Sequence, residues 1–211
     1  MKYLFLSVIL LSCCSVTTRQ ENQASIIVDQ TNQATPIPKA KHRSEEIVPN
    51  IPKASWEKSY FESINELSDK AGFKSLRNTA LAKDDLEVRL WMGFGITQLE
   101  GFILKCIKNE WSAIQINEDH RNIRLDEPKS GWAQTWQKLV DSETLTLPDA
   151  ESINCNPRDT DGFSYVVELK KGNNYRTYMY ENPDGGFENK CKEAAQMENI
   201  IKIIVQDYGF K

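Results

Sequence analysis

The 211-residue sequence predicts an α+β fold: a twisted antiparallel sheet of about five strands with helices packed on one face. Three observations carry this expectation. Apolar residues recur at helical spacing in three stretches, and five other short stretches read as strands, of which residues 86–92 alternate apolar and polar at period two. Within each group the strands are separated by turns only a few residues long, which antiparallel pairing alone permits. The order is helix, three strands, helix, two strands, helix, and helices of that kind cover one face of an antiparallel sheet.

Each element has its own signal. Ser55 caps a first helix that runs to about Lys70, with Trp56, Tyr60, Ile64 and Leu67 on one side and Gly72 as its stop. Residues 86–92 alternate: Leu86, Val88, Leu90 and Met92 share one face, and Glu87, Arg89 and Trp91 share the other. This predicts a half-buried strand, broken by Gly93-Phe94-Gly95. Residues 101–108 and 111–118 follow as a hairpin around Asn109-Glu110. Ser130 has the position of an N-cap for a helix carrying Trp132, Trp136, Leu139 and Val140 on one side. Pro148 and the polar run to Asp161 predict a loop. Residues 163–170 and 174–181 form a second hairpin around Lys171-Gly172-Asn173, and Pro183-Asp184-Gly185-Gly186 turns the chain into a last helix. That helix buries Ala194, Met197, Ile201, Ile204 and Tyr208.

Residues 54–211 have the usual size of one domain with one core. Residues 17–53 read differently, being rich in Gln, Asn, Ser, Thr, Lys and Glu and carrying Pro36, Pro38, Pro49 and Pro52. A segment of that composition buries too little apolar surface to offset the entropy of ordering, so a disordered tether is expected. Its single apolar island is Ser25-Ile26-Ile27-Val28. About 40 residues of flexible chain have a mean reach near 35 Å, enough to hold a domain clear of an attachment point. The formal net charge of -4, with Lys and Arg scattered, argues against nucleic acid, which asks for a basic face.

The N-terminus has the parts of an export signal: Lys2, an apolar run from Tyr3 to Leu11, and small or sulfur residues at its end. The run is too short to span a bilayer, which takes about 20 apolar residues. Leu10-Leu11-Ser12-Cys13 resembles the lipobox of bacterial lipoproteins. The resemblance implies that residues 1–12 are removed, that Cys13 is acylated and becomes the mature N-terminus, and that residues 13–53 tether the domain to a membrane. It implies a cell-envelope location, with the outer membrane favoured in a two-membrane source because Cys13 is followed by Cys14, Ser15 and Val16 and not by aspartate. Ordinary signal cleavage near residues 15–17, releasing a soluble secreted protein, is the alternative.

Catalytic signals are sparse. His42 lies in the tether, and His120, in Glu118-Asp119-His120-Arg121, has no second histidine or thiolate at ligand spacing, so no metal site is expected. No G-x-S-x-G elbow occurs, and Gly93-Phe94-Gly95 lacks the third glycine of a phosphate-cradling loop, so no cofactor is implied. Cys106 shares a strand face with Phe102 and Leu104 and reads as a buried free thiol. Cys155, in the long loop, and Cys191, at the start of the last helix, are the candidate disulfide, with free thiols or a Cys106 pairing as the alternatives.

One surface constellation stands out. Glu87, Arg89 and Trp91 point outward on the first strand, Glu168 with Val166 shares a face of the fourth, and Arg176, Tyr178 and Tyr180 share a face of the fifth. On neighbouring strands they would form one mixed patch, either a cross-strand ladder of ion pairs and rings or a recognition face. Two functional classes follow. The first is a non-catalytic binding or structural domain that contacts an envelope protein, peptide or glycan through this face or through residues 147–161. The second is a hydrolase or carbohydrate-active enzyme working with the carboxylates of Glu87 and Glu168, which requires both in an open cleft.

Overall fold

The computed structural model describes residues 56–94, 99–155, 162–183 and 191–209. The expected export signal, Cys13 and the expected 13–53 tether lie outside the described residues, as do Ser55, Gly95 and most of the Pro183-Asp184-Gly185-Gly186 turn. The elements are α1 (Trp56–Lys70), β1 (Leu86–Phe94), β2 (Glu100–Ile107), β3 (Glu110–Ile116), β4 (Asn122–Leu125), α2 (Trp132–Asp141), β5 (Ser164–Lys171), β6 (Asn174–Glu181) and α3 (Lys192–Tyr208). They build the predicted α+β fold around an open antiparallel sheet of six strands, in the order β4-β3-β2-β1-β5-β6.

The sixth strand is β4, a stretch to which the sequence reading assigned no element. Its four residues, Asn-Ile-Arg-Leu, are too few to show a period, and they pair only with β3 at the rim of the sheet. The turn before it closes through the Asn117 side chain, whose oxygen accepts the Arg121 N–H at 2.9 Å, with His120 at a left-handed φ of 63°. The β2–β3 turn is Lys108-Asn109, both at positive φ as a type I′ hairpin demands. That lies one residue before the predicted Asn109-Glu110 turn.

The helices take both faces of the sheet, which corrects the expectation of one. Leu139, Val140, Met197, Ile200 and Ile204 of α2 and α3 pack on Leu86, Val88, Leu90, Phe102, Leu104, Val167 and Leu169. On the opposite face Ile64, Leu67 and Ala71, from α1 and its exit, pack on Trp91, Ile103, Val166 and Met179. A central strand flanked by β2 and β5 has no wet side, and β1 is accordingly buried at eight of its nine positions. Trp91 is fully buried, and truncating a core aromatic of this kind costs about 3–5 kcal/mol. Gly101, its partner across β1–β2, is required to be small: a Cβ there would stand 2.6 Å from the Trp91 ring.

The helix ends show why the chain turns where it does. Gly72 at φ 77° follows α1, its N–H donates to Asp69 O, and Phe73 N–H reaches back to Ser68 O at 2.7 Å, closing the exposed carbonyls as in a Schellman motif. Ser130 does not cap α2, where Gly131 holds the N-cap position. Its hydroxyl donates instead to Asp207 of α3 at 2.6 Å, and Thr135 and Lys138 donate to the same carboxylate at 2.8 and 3.0 Å. Burial opposes the charge of Asp207, but the bonds from Ser130, Lys138 and Thr135 together hold its carboxyl below the usual range. This junction fastens α2 to α3.

Candidate functional site

The predicted mixed patch divides between the two faces of the sheet. Lys171 pairs with Asn174 across a two-residue turn in which Gly172 takes φ 55°. Glu168 therefore stands beside Thr177, and Val167 beside Tyr178. The expected three-residue turn, Lys171-Gly172-Asn173, would have paired Glu168 with Arg176. A one-residue difference in register moves every side chain of a strand to the other face, and that is the correction here. Glu87, Arg89, Trp91 and Glu168 face α1, whereas Arg176, Tyr178 and Tyr180 lie on the side of α2 and α3.

Neither set points into solvent. Glu87 and Arg89 are each 2% exposed and Glu168 is 1% exposed. Arg89 grips Glu87 Oε1 through Nε and Nη2, both at 2.7 Å, and Lys105 Nζ approaches Glu87 Oε2 at 3.3 Å. Phe73 lies under both cations, 5.8 Å from the Arg89 guanidinium and 5.0 Å from the Lys105 ammonium. Glu168 accepts the Trp91 indole N–H and the Tyr175 hydroxyl, each at 2.7 Å. Burial pushes the Glu168 carboxyl above the usual range, against the opposing pull of the Tyr175 bond, the Arg89 charge and the Trp91 bond. Tyr175 and Lys105 were not singled out from the sequence. Tyr175 becomes legible only once the hairpin turn is counted as two residues.

This is a closed polar network with its acceptors and donors occupied, and it presents neither Glu87 nor Glu168 to a substrate. Its chemistry is that of an internal fastening. Breaking such a network by removing one charge strands its partner in a medium that solvates it poorly.

The other set fastens the sheet's β6 edge. Arg176 Nε and Nη2 donate to Leu147 O, and Nη2 also to Thr146 O at 2.9 Å. The Tyr178 hydroxyl donates to Thr144 O at 3.0 Å and the Tyr180 hydroxyl to Pro148 O at 2.8 Å. Asp149 accepts the Met179 N–H at 3.0 Å, and Ala150 N–H donates to Met179 O at 3.2 Å. Residues 144–150 thus form a strap along β6, with Thr144, Leu145, Leu147, Asp149 and Ala150 all buried. The first part of the proposed binding loop is spoken for by this packing. At its far end Cys155 and Cys191 come to disulfide distance, with Cα atoms 6.0 Å apart. Cys106 is half-buried beside Trp111, and burial raises its thiol pKa.

What remains open is the β3–β4 wing, which Asn122 ties to the exit of α1 by donating to Ala71 O at 2.7 Å. On the α1 face it carries a groove of ≈ 670 Å³ lined by Ile107, Lys108, Glu110, Ser112, Ile114, Asn122 and Arg124, with Trp111 at its rim. Lys108, Glu110 and Arg124 are exposed, and their charged groups have no partner among the described residues. On the opposite face Trp111 stacks at 9° to Trp132 with centroids 6.4 Å apart and meets Trp136 at 5.7 Å, while Ile123 is 43% exposed. The wing thus sets unpaired charge beside accessible apolar surface. No helix among the described residues is long and apolar enough to cross a membrane. No family model, curated protein or solved structure matches this chain.

Proposed function

We propose that this chain is a lipid-anchored protein of the bacterial cell envelope whose domain binds a partner. In this reading residues 1–12 are the export signal, Cys13 carries the acyl chains, residues 13–53 are the tether and residues 54–211 are the displayed domain. The observation that carries it is the lipobox-like Leu10-Leu11-Ser12-Cys13 at the end of an apolar run too short to span a bilayer. Several acyl chains are needed for durable anchoring, since each buried methylene contributes about 0.8 kcal/mol, and acylated bacterial lipoproteins typically carry two or three. The residues after Cys13 favour the outer membrane where the source has two.

For the binding role, support comes from the β3–β4 wing. The conspicuous residues of the central strands are consumed in packing, whereas this wing keeps unpaired Lys108, Glu110 and Arg124 around a groove. A protein, peptide or glycan of the envelope is the class of partner. An envelope setting also agrees with closure of the Cys155–Cys191 bond, because exported chains meet oxidising conditions. The anchor is tested by mass spectrometry of the mature protein and by a Cys13→Ala variant. Acyl mass on Cys13, and loss of membrane retention in the variant, are expected; an unmodified N-terminus downstream of Cys14 overturns the anchor.

A further inference from the structure

We infer that β4 is a docking edge for an extended peptide segment of a partner protein, one that alternates acidic and apolar side chains and adds to the sheet as a seventh strand. The inference rests on reading the domain as a binding module and names the partner chemistry of its open wing.

The two edges of the sheet are treated differently. The β6 edge is met by the 144–150 strap at Met179, whose O accepts the Ala150 N–H and whose N–H donates to Asp149. Along β4 no backbone hydrogen bond arrives from outside its pairing with β3, among the described residues. An open edge offers a row of N–H and C=O groups that only another extended backbone satisfies along its length. Within the strand, Asn122–Leu125 contains no proline and its register with β3 shows no bulge, so its protection is limited to its four-residue length and the charge of Arg124.

The side chains of β4 specify what kind of strand fits. Register places Asn122 and Arg124 on the face of the groove, with Arg124 opposite Ile114, and turns Ile123 and Leu125 to the tryptophan face. A strand laid against β4 sends alternate side chains to the same two faces. Those on the groove face come beside the unpaired guanidinium of Arg124, with Lys108 and Glu110 farther along the same groove at the β2–β3 turn. Acidic side chains complement that face. Those on the other side meet Ile123, 43% exposed, and the half-buried Leu125, which suit a β-branched apolar residue.

The test uses the purified full chain in detergent micelles and a fluorescein-labelled peptide of alternating valine and glutamate, followed by fluorescence anisotropy. Saturable binding is expected, weakened at least about tenfold, or by 1.4 kcal/mol, in Arg124→Glu and in Ile123→Lys. Both sites are exposed, so near-ultraviolet circular dichroism of the variants is expected to match the parent. A peptide N-methylated at alternate amides is expected not to bind, because strand addition needs its N–H groups. Equal binding of a valine–lysine peptide, of the N-methylated peptide or by Arg124→Glu overturns the inference. So does a self-associated chain, seen by sedimentation, whose dimer is broken by Ile123→Lys, since the edge then belongs to a second copy. Failure here leaves the anchor standing, because acylation of Cys13 is read independently by mass.

Discussion

Replacing Glu87 by leucine tests whether the charged side chains of the central strands are an internal fastening or a surface. Leucine is near the size of glutamate and apolar, so the substitution removes the acceptor and keeps most of the packing. It leaves Arg89, whose side chain is 3% exposed, without the oxygen that now accepts from both Nε and Nη2. Ser68 Oγ, 3.5 Å from Nη1, cannot take over that role, and Lys105 loses its own partner at 3.3 Å. A buried charge stranded in this way costs about 3–5 kcal/mol. Against a typical urea slope of about 2 kcal/mol per molar, the midpoint falls by roughly 1.5–2.5 M. The double variant Glu87→Leu/Arg89→Met removes both charges and is expected to recover most of the loss, because an apolar pair of similar volume is often as stable as a buried ion pair. Glu66→Ala, which breaks the exposed Glu66–Lys70 pair, is the internal control and is expected to leave the midpoint in place. Equilibrium urea unfolding followed by tryptophan fluorescence measures all four proteins. A loss under about 1 kcal/mol in Glu87→Leu, the range of solvent-exposed ion pairs, refutes the reasoning, as does a double variant no more stable than the single.

Three further outcomes follow from named groups. Burial raises the Glu168 carboxyl, so its contribution to stability is full below the unfolded value of about 4.3 and is lost as pH rises through the folded value. Urea midpoints across that window are expected to fall for the parent and to fall less for Glu168→Gln; parallel curves would sink the assignment. With Cys155 and Cys191 separated by 36 positions, closing the bond stabilises the fold by roughly 4 kcal/mol in the chain-entropy picture, so reduction lowers the urea midpoint. A non-reducing peptide map without a Cys155–Cys191 peptide counts against it. Arg176→Ala removes the donors to Thr146 O and Leu147 O, and hydrogen exchange is expected to quicken at Ala150 and Met179 while β1 amides keep their protection. Uniform quickening across the sheet would show that the strap is not a separate unit.

The elements apart from β4 were legible in the sequence because each carries a local signal. Ile64 and Leu67 mark the buried side of α1, Gly72 ends it, and Leu86, Val88 and Leu90 mark one face of β1. The spatial proximity of Cys155 and Cys191 was also expected from their positions in the long loop and at the start of α3. Exposure was not legible. Glu87 and Arg89 look like a wet face because alternating charge usually means water, but at short range they satisfy one another and α1 closes over them. Nothing local in residues 56–70 announces which side of the sheet that helix will take. The patch failed for a different reason, since one residue in the Gly172 turn decides whether Arg176 faces Glu168 or Leu147. Turn length is a small signal with a consequence that runs the length of the strand.

The same logic locates the open surface. Placing α1 on the outer face makes β1 and β5 a buried spine, and a buried spine must satisfy its own polar atoms, which draws in Glu87, Arg89, Trp91, Glu168 and Tyr175. The β6 edge must be closed as well, and Arg176, Tyr178 and Tyr180 do so by holding the strap through its carbonyls. Both constellations therefore serve the interior. At the β4 end Lys108, Glu110 and Arg124 keep unpaired charge next to a free backbone edge. A residue whose hydrogen bonds are complete within the fold has little left to offer a partner, whereas one with none offers all of them. That contrast is why the proposed recognition surface lies not on the tryptophan and tyrosines of the central strands but on a four-residue strand at the rim.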